Sequence, residues 1–394
     1  MRLTRALARV DPSAIERNCE RLRSELREDV ELCAVVKADG YGHGAYQSAA
    51  AALAAGATWL AVASVHEALE LVDERLTARV LVLGPLRGGE LKDAVLLGVD
   101  VVAWEEEFLA QLATHAQDAD RTARVHIKLD TGMGRLGVSD PDRAARLVDA
   151  VAATPGVELA GVMTHFATAD ELDDTFFDEQ LQRFAEWVRT VKRRHPQVIA
   201  HAANSAATLR EPAAHFDMVR CGIAIYGMDP FGEDPAARGL EPALQLSSYI
   251  AAVKLCRAGE STGYGRRFRA PVDTYLGLLP IGYGDGWRRG FSNNAEVLVG
   301  GQRRPVVGTV SMDSIVVDLG PDPTALELRD TPAILIGPQA EERITAEELA
   351  RRLDTINYEI TCGLTARVAR VHHDEDEVLA VGEEDEYDDG MFLL

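Results

Sequence analysis

ELCAVVKADGYGHGA, residues 31–45, is the stretch from which the rest of the chain can be read. An apolar, strand-forming run ends in Lys37 and then breaks into glycines, a tyrosine and a histidine. An ammonium at the end of a buried strand is costly unless it is paired, neutralised or used. The residues alone leave two readings open. Lys37 either snorkels to a wet rim with its stem buried, or it is an amine that forms a Schiff base with an aldehyde cofactor. The glycines that follow let the backbone turn tightly and approach a ligand.

Seven further apolar runs follow before residue 225: WLAVAS, RVLVLG, VDVVAW, RVHIKLD, VELAGVMTHF, VIAHAANS and DMVRCG. Amphipathic stretches such as HEALELVDERL, RAARLVDAVAA and DDTFFDEQLQRFAEWVRTVKRRH lie between them. Strands that are almost continuously Val, Ile, Leu and Ala, joined by helices, imply a parallel sheet covered on both faces. Eight such units in about two hundred residues predict an α/β fold with a closed (β/α)8 TIM-like barrel rather than an open doubly wound sheet.

After residue 240 the texture changes to short β-runs (LSSYIAAVKL, TYLGLLPI, AEVLVG, RRPVVGTV, DSIVVDLG, PAILIG) separated by Gly, Pro, Asn and Asp. This predicts a mostly antiparallel β C-terminal domain. One helix is expected to interrupt it, opened by a capping box of Thr345 and Glu348 before LARRL. The expected division is a barrel over 10–240, the β-rich domain over 241–382 together with residues 1–9, and an acidic tail over 383–394, read as a solvated terminus.

The 394 residues carry 41 Lys and Arg against 63 Asp and Glu, a net charge of −22, which argues against general nucleic-acid binding. Five scattered cysteines without a CxxC pair argue against a disulfide framework or a zinc site, and no metal is expected. No apolar run is long enough to span a bilayer, and MRLTRALARVDPSAIERN has no apolar signal region. A cytoplasmic protein is expected.

The C-terminal ends of barrel strands form the active face of such a fold. Those ends carry Lys37, Ser64, Trp104, Asp130, His165, Asn204 and Arg220. Asn204 and Ser205 open a short helical run, so free N–H groups are expected at the barrel mouth, joined by the amides of Gly222 and Ile223. Loops after the seventh and eighth strands with a helix N-terminus are the customary phosphate site of this barrel. Arg220 either pairs with an acid such as Asp217 or donates to a pyridine nitrogen. A guanidinium never accepts, so a pyridine facing it stays largely unprotonated and a weaker electron sink.

GMGRLG, residues 132–137, satisfies G-x-G-x-x-G but lies in the fifth unit, and its helix begins only around SDPDRAARL. It is a poor dinucleotide site, and Arg135 inside it is better suited to a small ligand's charged group. The tyrosines of STGYGRRF and IGYGDGW read by themselves as turn residues. His372 and His373 point to opposite faces of a strand and are read as surface residues.

With these pieces placed, the chain resembles the alanine racemase family, a pyridoxal-phosphate fold of barrel plus β-domain. AVVKADGYGHG, KLDTGMGRLG, MTHFATAD, HAANSAATL, DMVRCGIAIYG, GYG at 263–265, GTVSMD and NYEITC match its motifs in order. The resemblance implies that Lys37 bonds pyridoxal 5'-phosphate and is one of two acid/base groups. Tyr264, reaching across a homodimer interface, would be the other. It implies that Arg220 faces the pyridine nitrogen, that His165 packs on the ring, and that Tyr41, Asn204, Ser205, Gly222, Ile223 and Tyr358 surround the cofactor. Arg135, Met312 and Asp313 would meet the substrate, with Met312 from the partner subunit. Lys128, carbamylated in some members, would orient Arg135, and His201 and Arg370 would stand behind the site.

The activity so implied is two-base racemisation of L- and D-alanine, supplying D-alanine for cell-wall peptidoglycan. Thr309, Ser314 and Gly263 stand where the family often has arginine, glutamine and serine. Competing readings are a racemase of serine or other small amino acids, and a non-catalytic pyridoxal-phosphate homeostasis protein. A decarboxylase of similar architecture would place a carboxylate where Arg220 stands.

Overall fold

In the computed structural model the described residues are 5–72 and 76–372; the acidic tail lies outside them. A short strand, β1 (Leu7–Val10), precedes eight parallel strands: β2 (Glu31–Val35), β3 (Trp59–Val62), β4 (Arg79–Val82), β5 (Asp100–Ala103), β6 (Ala123–Lys128), β7 (Val157–Met163), β8 (Ile199–His201) and β9 (Met218–Cys221). These eight close on themselves in chain order, β9 returning to β2 through Glu31↔Met218, Leu32↔Val219, Cys33↔Arg220 and Ala34↔Cys221. The fold is the barrel that the alternating runs predict.

The composition of the strands explains the closure. In β2 both alternating sets, Leu32 and Ala34 as well as Cys33 and Val35, are buried, because one faces the barrel interior and the other the helical ring. Such a strand has no face turned to solvent. The helix Phe176–Lys192 shows the matching pattern outside: Phe177, Phe184, Trp187, Val188 and Val191 are buried at helical spacing. Full burial of each such side chain contributes about 1.5–3 kcal/mol.

The C-terminal part is mostly antiparallel. β1 lies inside its largest sheet, antiparallel to Leu244–Tyr249 and parallel to Ala369–His372. A second sheet joins Ala252–Cys256, Thr274–Leu279 and Ile315–Gly320.

Three expectations need correction here. Two helices interrupt the sheets, Ala346–Arg352 and Asn357–Cys362, because NYEITC is helical. The capping box is half formed. Thr345 Oγ1 accepts from Glu348 N at 3.2 Å, but the Glu348 carboxylate turns to Arg303 and Arg352. His372 is half-buried rather than a surface residue, its Nε2 donating to His43 O at 2.7 Å; His373 lies outside the described residues. No helix among the described residues is long and apolar enough to cross a membrane.

Candidate active site

Lys37 follows the end of β2, and the chain beyond it turns the unusual way. Ala38, Asp39, Gly40 and Tyr41 all have positive φ, between 52° and 59°. Three of these are not glycine, and the left-handed region costs about 1–2 kcal/mol for each such residue. Specific bonds hold the turn. Glu67 accepts from Ala38 N at 2.8 Å and from Ala63 N at 2.6 Å. Asp39 Oδ1 accepts from Ala45 N at 3.0 Å. From the C-terminal part, Arg370 Nε donates to Gly42 O at 2.9 Å.

The turn presents Lys37 to a cavity of about 410 Å³ at the C-terminal ends of the strands. Tyr41, His165, Asn204, Ser205, Gly222, Ile223 and Tyr358 line it too. Four basic side chains face the same space, Lys37, Lys128, Arg135 and Arg220, and no carboxylate is among the described residues that line it. This charge distribution governs protonation. Burial, then Arg135, pulls the Lys37 amine below its ordinary value. Burial, with Arg220 and Arg135, brings Lys128 down to about 8. His165 is driven well below the usual imidazole range by burial and by Arg220, so its ring is neutral. Arg220, itself buried, is brought down to about 10 and remains a cation.

At one end the cavity offers hydrogen-bond donors. Asn204 caps the helix Ser205–Arg210 by accepting from Ala207 N, leaving the first amides of that helix without a capping partner. Ser205 Oγ accepts from Gly222 N at 3.0 Å and from Ala224 N at 3.3 Å. The ring of Tyr41 stands 5.9 Å from that of Tyr358, and burial pushes both phenols upward, so both keep their protons as donors. An anion with several acceptor oxygens fits such an end.

Arg220 lines the cavity as well. Nη1 meets His201 Nδ1 at 2.8 Å; Nη2 is shared among Thr164 O, Ala202 O and His165 Nδ1. The alternative partner Asp217 is instead 2.6 Å from Lys192. Arg220 Nε has no acceptor among the described residues. A donor therefore remains for a ligand's acceptor nitrogen.

Three strand-end residues do not join the cavity. Ser64 caps its helix by accepting from Glu67 N. Trp104 packs on the core. Asp130 turns outward and is taken up by the amides of Gly132 and Gly134, which tightens the loop carrying Arg135. The GMGRLG loop opens no helix; the next begins at Pro141 behind the Asp140 cap.

Tyr264, Met312 and Asp313 lie away from the cavity of their own chain. Tyr264 is 74% and Met312 52% exposed. Thr309 Oγ1 donates to Tyr264 O at 2.7 Å, and Arg367 pairs with Asp313 at 2.7 Å.

Reading the sequence strand by strand missed Glu67, which bridges the ends of β2 and β3, and Cys362, which lines the cavity. Ser64-Val-His-Glu67 carries a legible capping signal, yet its carboxylate serves the preceding strand ends instead of the cap.

Comparison with known proteins gives a consistent result. Residues 10–230 match the family described as alanine racemase, N-terminal domain, and residues 243–372 match alanine racemase, C-terminal domain. The alanine racemase of Halalkalibacterium halodurans is 40% identical over 377 residues, covering 94% of this chain and 96% of that protein. The alanine racemase of Geobacillus stearothermophilus is 40% identical over 370 residues, covering 92% of each. Among solved structures, the alanine racemase of D-cycloserine-producing Streptomyces lavendulae superposes with a TM-score of 0.89 at 38% identity, over 96% of this chain and 99% of that one. The alanine racemase of Bartonella henselae with covalently bound pyridoxal phosphate gives 0.82 at 28% identity, over 93% and 99%.

Proposed function

The chain belongs to the alanine racemase family and is an isomerase that interconverts L- and D-alanine; from this premise we propose that pyridoxal 5'-phosphate is its cofactor and that Lys37 and Tyr264 move the proton on opposite faces of the substrate Cα. The observation that carries this reading is the charge of the cavity, four basic groups and, among the described residues, no carboxylate. A phosphate and an amino-acid carboxylate together answer that charge. When bound, the cofactor supplies an electron-withdrawing ring that acidifies the substrate Cα–H.

The residues divide the remaining work. Tyr41, Tyr358, Ser205 and the amides of Ile223 and the Ser205 helix hold the phosphate, with Gly222 and Asn204 shaping that end. Arg220 donates to the pyridine nitrogen and keeps it unprotonated, which favours return of the proton to Cα over side reactions. His165, neutral, packs beside the ring without adding charge. Arg135 holds the substrate carboxylate and Lys128 sets its orientation. Lys37, whose amine burial makes easier to deprotonate, takes or gives the proton on one face.

Tyr264 serves the other face from a second copy of the chain. Its phenol is exposed, as are Met312 and Asp313, all on the C-terminal part, and none of the three lines the cavity of their own chain. A homodimer in which each C-terminal part closes its partner's cavity accounts for this. With a barrel over 10–240 and a β-rich part over 241–382 with residues 1–9, of which 1–4 and 373–382 lie outside the described residues, each cavity takes Lys37 from one copy's barrel and Tyr264 from the other copy's β-rich part. The product role we infer is a cytoplasmic supply of D-alanine for cell-wall peptidoglycan.

The test is isotopic. L-Alanine incubated with holoenzyme in heavy water gives D-alanine carrying deuterium at Cα. Lys37→Ala loses the yellow colour, and Tyr264→Phe slows abstraction from one enantiomer far more than from the other. Equal and small losses in both directions would remove Tyr264 from the mechanism. Bound cofactor without exchange would leave a binding protein.

A further inference from the structure

The interior of a (β/α)8 barrel is ordinarily filled with branched aliphatic side chains. Here part of it is given to two histidines and an aspartate. Asp100 at the start of β5, His126 in β6 and His201 at the end of β8 have no solvent exposure, and they lead to Arg220 in β9. Asp100 Oδ2 is 3.0 Å from His126 Nε2, His126 Nδ1 is 2.8 Å from His201 Nε2, and His201 Nδ1 is 2.8 Å from Arg220 Nη1.

We infer that Asp100, His126 and His201 form a one-way hydrogen-bonded relay that fixes Arg220 toward the cavity, which makes Asp100 and His126 positioning residues for the racemisation; the inference rests on the placement of Arg220 beside the cofactor ring given above.

The direction follows from donor chemistry. A guanidinium has donors only, so His201 Nδ1 must accept and its proton sits on Nε2. That N–H donates to His126 Nδ1, which must accept in turn. The His126 proton is then on Nε2 and donates to the Asp100 carboxylate. Each ring is neutral and held in a single tautomer, and a proton added to either ring would set N–H against N–H. Burial lowers the tendency of both rings to charge, and Arg220 adds to it, most strongly at His201.

The far end is anchored. Arg79 Nη2 lies 2.6 Å from Asp100 Oδ2 and Arg124 Nε 2.7 Å from Oδ1, so the carboxylate has charged partners on both oxygens. Burial works against its ionisation, but the His126 hydrogen bond and the two arginines outweigh it and keep its pKa low. The backbone makes room as well. The β6–β7 register shifts between Val125 and His126, and a Cβ on Gly161 of β7 would lie 2.1 Å from His126 Nδ1.

Stability does not explain this arrangement. Replacing a satisfied buried polar network with apolar side chains of similar volume is often neutral or stabilising, so its presence calls for another role. The relay supplies one. It takes up Arg220 Nη1 with an acceptor that cannot turn away, while Thr164 O, Ala202 O and His165 Nδ1 take up Nη2. Arg220 Nε is left to face the ligand.

Two measurements test the relay. In cofactor-free protein labelled with ¹⁵N-histidine, nuclear magnetic resonance should find His126 and His201 neutral with the proton on Nε2, the signals assigned by their loss in His126→Phe and His201→Phe. A proton on Nδ1 of either ring, or a charged ring, overturns the proposal. In holoenzyme, His126→Phe, apolar and packed against Trp59, should fold with a lowered melting temperature, because the buried His201 Nε2–H loses its acceptor. It should also lower kcat about tenfold and shift the cofactor absorbance maximum. Pyruvate released per racemisation should rise, and His126→Gln should recover part of the loss. A folded His126→Phe with unchanged kcat, absorbance and pyruvate leakage also overturns it. Failure of the wild-type enzyme to racemise would count against the assigned function instead, and the tautomers would still be readable.

Discussion

Glu67 Oε1 lies 2.8 Å from the amide of Ala38, the first residue beyond Lys37 and the first in the left-handed turn. The other oxygen of the same carboxylate holds Ala63 N. One side chain thus ties the ends of β2 and β3 and offsets part of the strain that presents the lysine. Glu67→Gln leaves a single acceptor for two amides and should lower stability by about 1–3 kcal/mol in chemical denaturation. Glu67 also raises the Lys37 pKa. The substitution should therefore move the alkaline titration of Lys37 in cofactor-free protein downward. An unchanged midpoint and titration would refute both roles.

Gly263 has φ 73° and ψ 174°, a region open to glycine almost alone, and an added Cβ would sit 3.1 Å from Thr309 N. Any side chain at this position would strain the turn. Gly263→Ala should cost about 1–3 kcal/mol locally and displace Tyr264. The expected result is a fall in kcat of about tenfold with cofactor content unchanged. Full activity in a variant of wild-type stability would show that the turn does not set the tyrosine.

Lys128 gives a signed pH test. Its native pKa of about 8 lies below the usual 10.5, so between those values the unfolded chain binds more protons than the native one. Stability of the cofactor-free protein should therefore rise with pH across that window, by up to about 3 kcal/mol, with the full penalty present below about pH 8. Lys128→Met should remove this rise. A carbamate on the amine would remove it in the wild type too. Denaturation curves of both proteins, with and without carbon dioxide, separate the two states of the lysine.

Arg370 links the C-terminal sheet to the Lys37 turn through Gly42 O, and its other nitrogens reach Leu364 O, Thr365 O and Val368 O. Arg370→Met leaves these carbonyls without that donor. Cofactor affinity, followed by absorbance titration of cofactor-free protein, should weaken about tenfold. An unchanged Kd would mean that the turn holds its shape without this link.

Much of this was legible along the chain, for identifiable reasons. The eight strands announce themselves because a doubly covered strand is mostly apolar, and Lys37, His165, Asn204 and Arg220 stand out at or near the strand ends. Ser64, Trp104 and Asp130 obey the same pattern yet serve a cap, the core and a loop, since position at a strand end does not fix where a side chain turns. His126 could not be singled out: it lies inside RVHIKLD, where Arg124, His126, Lys128 and Asp130 alternate with apolar residues and look like one exposed face. Only closure of the barrel puts it between Asp100 and His201. Glu67 was hidden for a similar reason, because its partners Ala38 and Ala63 are backbone amides and carry no mark in the sequence.

The position of β1 has a consequence for synthesis. Leu7–Val10 emerges from the ribosome early, yet its neighbours Leu244–Tyr249 and Ala369–His372 follow more than two hundred residues later. The barrel strands can find one another while translation continues, but this strand must wait, unpaired, at least until Leu244–Tyr249 has been made, and its other edge until Ala369–His372 follows. A nascent chain arrested after residue 230 should therefore be protease-sensitive at Leu7–Val10, with protection gained once Leu244–Tyr249 is released and completed when Ala369–His372 follows.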